Sequence, residues 1–301
     1  MKKIQVSNER WIGKGKKERW IGEGEPPLII AEIGNNHNGD LQIAFDLIEK
    51  AKDSGADAVK FQVKDIELAF DKELLDKSYS GPNSFGNTYR DHKLALEFSE
   101  AQMKQIYQFA KKIDIICFAT PFDVNSVDML ERLGNTIYKI SSFHVTDLEL
   151  IEKVAKTKKP ILMSTGMSSI EEIETAVNLI RKYSDKFALF QCTSSYPTAD
   201  EDVNLRVIPM LNSKFDCPVG YSGHERGTSI SVASVTMNAC MIERHFTLDR
   251  TMKGPDHASS VEPIGLKLLV ERSHKVFTAL GSNKKFVLDS ELNNRKKFRG
   301  Y

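Results

Sequence analysis

Six charged residues, Glu32, Lys60, Lys139, His224, Glu243 and His245, stand in or just after short apolar runs, where solvent exposure alone does not account for them. The stretch MIERHFTLDRTMKGPDHA, residues 241–258, poses the problem most sharply: a run that should be buried ends in Glu-Arg-His and then opens into a charged loop carrying Asp256. Two lysines with several hydroxyls at the ends of these runs suit an anion that carries both a phosphate and a carboxylate. Two histidines from neighbouring runs, with carboxylates near, suit a divalent metal with open coordination positions. Taken singly, Lys60 or Lys139 reads as a lysine with its head in water, and His224 as a satisfied histidine capping a loop. His37 and His257 lie in loops and read as structural.

The elements that must position these groups repeat. Apolar runs occur at 28–33, 58–62, 115–120, 137–141, 161–165, 187–192, 217–222 and 240–246, eight in all. Amphipathic stretches lie between them, such as LQIAFDLIEKAKDSG and SSIEEIETAVNLIRKY, the latter opened by a serine N-cap with acidic residues in its first turn. A final helix is predicted over roughly 263–280. Eight runs that each lead into a helix predict an α/β chain folded as a (β/α)8 TIM barrel over 28–281. A doubly wound open sheet is the alternative, but no Gly-x-Gly-x-x-Gly follows the first run. Active sites of such barrels lie at the C-terminal strand ends, and there every run supplies a polar residue. The segment 63–98 is too long for a simple connection and reads as an insertion after the second strand that can act as a lid. RWIGKG at 10–15 and RWIGEG at 19–24 form a short duplication that predicts a β-hairpin within an N-terminal extension, 1–27. Residues 282–301 read as a solvated basic tail or a truncated linker.

The chain has 301 residues, 28% of them charged and 41% hydrophobic, with a formal charge of +1. That length supports one large core, and the charge balance excludes the basic stripe of a nucleic-acid binder. No apolar run is long enough to span a membrane, and the N-terminus is not signal-like. Four widely spaced cysteines fit neither a zinc knuckle nor a disulfide framework, which points to reduced thiols in a cytoplasmic protein.

The motifs AEIGNNHNGD, GADAVKFQ, ATPFD, YKISSF, STGM, CTSSYPT, VGYSGHERG and IERHFTLDRTMKGPDHASSVEP follow one another at the strand ends. They resemble the sialic acid synthase family, over nearly the whole chain. The resemblance implies a condensation of phosphoenolpyruvate with an N-acylated hexosamine such as N-acetylmannosamine, giving a nine-carbon 2-keto-3-deoxy sugar acid and phosphate. It implies His224 and His245 as ligands of Mn2+ or Mg2+. Lys60, Lys139, Ser142, Ser164, Ser194 and Ser222 would bind phosphoenolpyruvate, with Glu32, Lys60 and Glu243 catalytic. Asn36, Gln62, His144, Tyr196 and Asp256 would form the sugar side. His144 stands where many members carry an acidic residue, and Ser194 where some carry asparagine. Typical members are homodimers and continue into a C-terminal antifreeze-like domain that caps a partner's barrel. This sequence stops within the linker, which implies a truncated chain or a separate cap-domain protein as partner. KISSF is closer to pseudaminic and legionaminic acid synthases, and HKLALEFS and GYSGHERG to N-acetylneuraminate synthases. A barrel synthase with a tetrose or pentose phosphate acceptor would need a further basic cluster, and none is evident in the sequence. A non-catalytic sugar-binding barrel that lost its cap would be expected to have a damaged metal or phosphate site, whereas both histidines and both lysines are present.

Overall fold

The computed structural model describes residues 2–12 and 15–301. Two strands, β1 (Ile4–Ile12) and β2 (Gly15–Ile21), pair antiparallel as the predicted hairpin. Gly13 and Lys14, within the first copy of the duplicated motif, lie outside the described residues. Eight parallel strands follow: β3 (Leu28–Gly34), β4 (Ala58–Val63), β5 (Ile116–Pro121), β6 (Tyr138–Ile140), β7 (Ile161–Ser164), β8 (Phe187–Cys192), β9 (Val219–Gly223) and β10 (Met241–His245). They close in sequence order, with β10 returning to pair with β3, so the barrel has no open edge. Each strand coincides with one of the eight apolar runs.

Helices α1 (Leu41–Asp53), α5 (Glu100–Lys112), α6 (Val124–Arg132), α7 (Leu148–Lys156), α8 (Ile170–Arg181), α9 (Val207–Phe215), α10 (Ser229–Ala233) and α11 (Pro263–Leu280) connect or follow the strands. The insertion contributes the short helices α2 (Ile66–Ala69), α3 (Lys72–Leu75) and α4 (Tyr89–Leu94). Local chemistry fixes the helix starts. Asp40 accepts the Gln42 and Ile43 N–H groups at the head of α1, and Ser169 and Glu172 form a capping box at the head of α8. Helix α8 then buries Ile173, Ala176, Val177 and Ile180, spaced i, i+3, i+4, i+7, against the sheet. Each larger side chain of that set contributes roughly 1.5–3 kcal/mol by leaving water. Where a solvated tail was expected, residues Asp289–Arg299 form α12, exposed nearly throughout. Asp289 and Glu291 open it and Lys296, Lys297 and Arg299 close it, so its charges complement the helix dipole.

The two-residue period of the strands divides the barrel into an outer and an inner core. Outward-facing residues such as Ile29, Val59, Met163 and Ile242 pack under the helices. Inward-facing Leu28, Ile30, Ala58, Ile116, Phe118, Leu162, Ala188, Phe190 and Met241 fill the lower interior, and Ile4, Val6 and Ile21 of the hairpin close its base. One step up each strand, the same inward face turns polar. Glu32 follows Ile30, Lys60 follows Ala58, Thr120 follows Phe118, and Ser164, Cys192 and Glu243 follow Leu162, Phe190 and Met241.

Candidate active site

That polar layer floors a cavity of about 500 Å³ at the C-terminal end of the barrel, within the size range of small-molecule sites. The strand register sets its neighbours: His245 pairs with Glu32, Glu32 with Lys60, and Glu243 with Ser222. A larger cleft of about 810 Å³ lies at the opposite end, under the hairpin. It is lined by residues such as Lys2, Trp20 and Lys186 and holds none of the candidate groups.

At the centre of the floor two cations and two carboxylates alternate. Lys60 Nζ stands 2.8 Å from Glu32 Oε2, 3.7 Å from Glu243 Oε1 and 3.0 Å from Thr120 Oγ1. Lys139 Nζ is 3.7 Å from Glu243 Oε1 and donates to Ser164 Oγ at 2.6 Å. All four charged side chains are almost wholly buried. Burial opposes charge on both lysines but with opposite outcomes. At Lys60 the carboxylates of Glu243 and Glu32 outweigh burial and hold its pKa above the ordinary lysine value. At Lys139 burial prevails, with Glu243 opposing it and Lys60 reinforcing it, and the pKa falls below that value. Burial likewise works to raise Glu243, but Lys139 and Lys60 bring it below the usual carboxylate range. Its Oε2 is buried without a hydrogen-bond partner among the described residues, which leaves one acceptor for a bound molecule.

Beside this floor stand the two histidines, ring centroids 5.6 Å apart, with the Tyr196 ring 4.1 Å from His224. His224 Nδ1 lies 2.9 Å from the Thr193 carbonyl, which only accepts, so Nδ1 carries a proton, and in the neutral ring Nε2 has the lone pair. That is how a metal-binding imidazole is commonly oriented. His245 Nδ1 is buried with no hydrogen bond and has Asp256 Oδ2 3.9 Å away. Among the described residues no group of three or more His, Cys, Asp or Glu gathers as a preformed metal cage. The residues that could hold an ion here are the two imidazoles, and such an ion would take its other ligands from water or substrate.

The remaining candidates divide. Ser142, Ser222, Gln62, His144, Tyr196 and Asp256 line the same cavity. Gln62 Nε2 donates to Glu32 Oε1 at 2.8 Å, and His144 Nδ1 lies 2.7 Å from Ser141 Oγ. Asn36 does not line it. Its amide donates to the Phe246 carbonyl and to Ser260 Oγ and ties the first loop to the last, while its neighbour Asn35 reaches the cavity and donates to Asp256 Oδ2 at 3.4 Å. Ser194 faces an adjoining groove behind Gly166. A Cβ on Gly166 would meet Ser194 Oγ at 2.4 Å and Ser142 Oγ at 2.9 Å, so the turn after β7 admits only hydrogen at this position. Asp123, a strand-end carboxylate, caps α6 instead, accepting from the Ser126 and Asp65 N–H groups. His37 and His257 are packed within loops. His37 stacks on Phe98 at 4.1 Å, and burial lowers its pKa to about 3. His257 is hydrogen-bonded at both ring nitrogens.

Sequence reasoning named no single residue of the insertion, yet Phe70, Tyr89 and Lys93 from it line the cavity mouth, as does Lys64, just after β4. The length of the insertion was the only signal. Reasoning from the sequence also missed the pair behind the histidines. Arg244 points outward from β10, fully buried, and bonds Glu225 Oε1 at 2.8 Å. All four cysteines are unpaired, and among the described residues no helix is long and apolar enough to cross a membrane.

Comparison with known proteins adds to this geometry. A model described as the NeuB family matches residues 47–285. The chain is 41% identical over 290 residues to an N-acetylneuraminate-9-phosphate synthase of Homo sapiens, covering 96% of this chain and 78% of that protein. It is 42% identical over 275 residues to an N,N'-diacetyllegionaminic acid synthase of Campylobacter jejuni, covering 89% and 81%. A crystal structure of an N-acetylneuraminic acid (sialic acid) synthetase from Leptospira borgpetersenii, in complex with citrate, superposes with a TM-score of 0.81 at 35% identity and 99% coverage of both chains.

Proposed function

The chain belongs to the NeuB family, the sialic acid synthases, and on that premise we propose that it condenses phosphoenolpyruvate with an N-acylated hexosamine to give a nine-carbon 2-keto-3-deoxy sugar acid and phosphate. One observation carries the reading. A two-lysine floor and a two-histidine wall share one cavity, which suits a phosphate-bearing acid and a metal-polarised carbonyl side by side.

In this reading Lys60 and Lys139, with the hydroxyls of Ser142, Ser164 and Ser222, hold the phosphate and carboxylate of phosphoenolpyruvate. His224 and His245 hold Mn2+ or Mg2+, which when bound polarises the acceptor aldehyde. Gln62, Asn35, Tyr196, His144 and Asp256 orient the acceptor. The vinyl carbon attacks the aldehyde carbon, and the aldehyde oxygen takes up a proton from solvent. Water then adds to the cationic carbon left behind, and phosphate departs with cleavage of its bond to that carbon. Glu243 Oε2, the unpartnered acceptor, holds the attacking water and takes its proton, while Lys139 and Lys60 keep Glu243 ionised.

The test is phosphate release from phosphoenolpyruvate with Mn2+ and a panel of N-acetylmannosamine and 2,4-diacetamido hexoses, with and without EDTA. Chelator-sensitive release with one of them is the expected result, and a His245→Ala variant should lose it while keeping its circular dichroism. Full turnover in that variant would remove the metal assignment. No release with any acceptor would favour the non-catalytic sugar-binding barrel.

Gly166 offers a check on the phosphoenolpyruvate end. Gly166→Ala drives a methyl between Ser142 and Ser194 and should raise the Michaelis constant for phosphoenolpyruvate by about tenfold or more, the effect of displacing a positioning group by a fraction of an ångström. A Michaelis constant equal to that of the parent protein would place this turn outside the site.

A further inference from the structure

The cleft of about 810 Å³ at the base of the barrel has no part in the roles above, and its two walls differ in chemistry. One wall is the hairpin, where the half-buried Trp20 of β2 stands directly across from Gln5 of β1. The Trp20 indole donates to Glu18 Oε2 at 3.0 Å, which fixes the ring by its edge. The other wall is built from the connections that lead from α7, α8 and α9 into β7, β8 and β9, and it carries Lys158, Lys159 and Lys186. With Lys2, Lys3 and Arg181 the cleft holds six cations against two carboxylates, Asp185 and Asp216, in a chain whose formal charge is only +1. Four of the six are engaged. Lys2 lies 3.1 Å from Asp216, Lys3 lies 2.8 Å from Glu25, Lys159 pairs with Glu131, and Arg181 donates to the Phe215 carbonyl. Among the described residues the ammonium groups of Lys158 and Lys186 have neither an ion pair nor a hydrogen bond.

The backbone singles out one of these two. Lys158, just past the end of α7, has a φ of +58°. Gly55, Asp114, Gly134 and Asp216 take the same left-handed backbone after α1, α5, α6 and α9. Those residue types tolerate it, through a missing Cβ or a short polar side chain. Lysine has neither advantage, so its ammonium is placed at a conformational cost that glycine would avoid. Residues held in this region against their preference cluster at ligand clamps and switch segments. An aromatic ring on one wall and unpaired ammonium groups on the other, in a cleft of small-molecule size, form an arrangement that can stack a base and hold phosphate oxygens. We propose that the cleft between the hairpin and the barrel base binds a nucleoside polyphosphate, its base on Trp20 and its phosphates on Lys158 and Lys186. The site lies at the N-terminal ends of the strands, away from the catalytic cavity, so its occupant competes with neither substrate. The inference makes no use of the condensation reading.

The test titrates ATP, CTP, adenosine and inorganic triphosphate, at physiological ionic strength and without divalent metal, into the Trp11→Phe protein, whose one tryptophan is then Trp20. Both nucleotides should quench its fluorescence and bind about tenfold or more tightly than triphosphate or adenosine, because stacking and phosphate contacts then act together. Calorimetry on the parent protein reads the same affinities without that substitution. Lys186→Gln and Lys158→Gly should each weaken ATP binding by about fivefold, the upper range for one exposed charge. Lys267→Gln makes a like charge change on the exposed side of α11, outside the cleft, and should alter ATP binding by less than about twofold. Lys158→Gly also separates binding from folding, since glycine relieves the left-handed backbone: the melting temperature should hold or rise while the affinity falls. A stabilised Lys158→Gly protein with parent-like affinity would make Lys158 a turn residue and overturn its assignment. Triphosphate bound as tightly as ATP, with Trp20 fluorescence unchanged, would overturn the nucleoside. An equal loss in Lys267→Gln would reduce the effect to general attraction for polyanions, and no binding of either nucleotide would overturn the site outright.

Discussion

Replacing Lys60 by methionine is expected to lower kcat by roughly 10³ and to destabilise the fold at the same time. Each tenfold in rate is about 1.4 kcal/mol, so the catalytic loss corresponds to about 4 kcal/mol, the upper range for removing one preorganised charge from a water-excluded site. The structural loss has a separate origin. Lys60 lies between Glu32 at 2.8 Å and Glu243 at 3.7 Å, and its removal leaves Glu243 with Lys139 at 3.7 Å and Glu32 with the uncharged Gln62 amide at 2.8 Å. Removing one partner from a buried ion pair costs about 3–5 kcal/mol, because the charge left behind is uncompensated. A second substitution separates the two effects. In Lys60→Met with Glu243→Gln one orphaned charge is gone, so urea unfolding should show part of the stability restored, whereas turnover should stay lost. Neighbours in one network are not additive, and here the departure from additivity is the prediction. Turnover within tenfold of the parent in the single variant would mean that Lys60 is a structural lysine.

Why this floor was legible in the sequence, and other parts of the site were not, follows from periodicity. On a strand each inward position is followed by another two residues later, so Glu32, Lys60, Lys139, Ser164, Ser222 and Glu243 announce themselves as polar residues on a face that is otherwise apolar. The loop GNNHNG has no such period, and nothing in it distinguishes Asn36, which braces the loop, from Asn35, which reaches Asp256. Ser194 fails for the same reason: beyond the end of β8 the chain turns, and the hydroxyl comes to lie behind Gly166. Lys93 belongs to a one-and-a-half-turn helix whose place over the barrel mouth is set by tertiary packing, including the rings of Tyr79, Phe85, Tyr89 and His92. The sequence shows such an insertion only as length.

Arg244 was hidden differently, because a charged residue on the outer face of a barrel strand reads as solvated. It is instead fully buried, and its replacement by methionine is the second change expected to have a large effect. The guanidinium donates through Nη1 to Glu225 Oε1 at 2.8 Å, the Gly227 carbonyl at 2.7 Å and Ser231 Oγ at 2.9 Å, and through Nη2 to the Glu225 carbonyl at 2.6 Å. Glu225 accepts in addition from Tyr221 Oη and Ser231 Oγ, both at 2.7 Å. Methionine matches the stem but strands this carboxylate and two carbonyls, at a cost of about 3–5 kcal/mol. At roughly 2–4 °C per kcal/mol for a domain of this size class, the melting temperature should fall by about 10 °C. Arg244→Met with Glu225→Gln should fall by less than the sum of the two single variants. A functional consequence follows from adjacency in the chain. Glu225 follows His224 and Arg244 precedes His245, so the pair clamps the loop after β9 to the end of β10 and fixes the spacing of the two imidazoles. Under the proposed assignment of a divalent ion to these imidazoles, loosening it should weaken Mn2+ binding by about tenfold or more, the usual effect of losing a group that orients a ligand, when titrated well below the variant's melting temperature. Parent-like Mn2+ affinity in a destabilised Arg244→Met protein would show that the clamp serves the fold alone and that each strand end holds its histidine unaided.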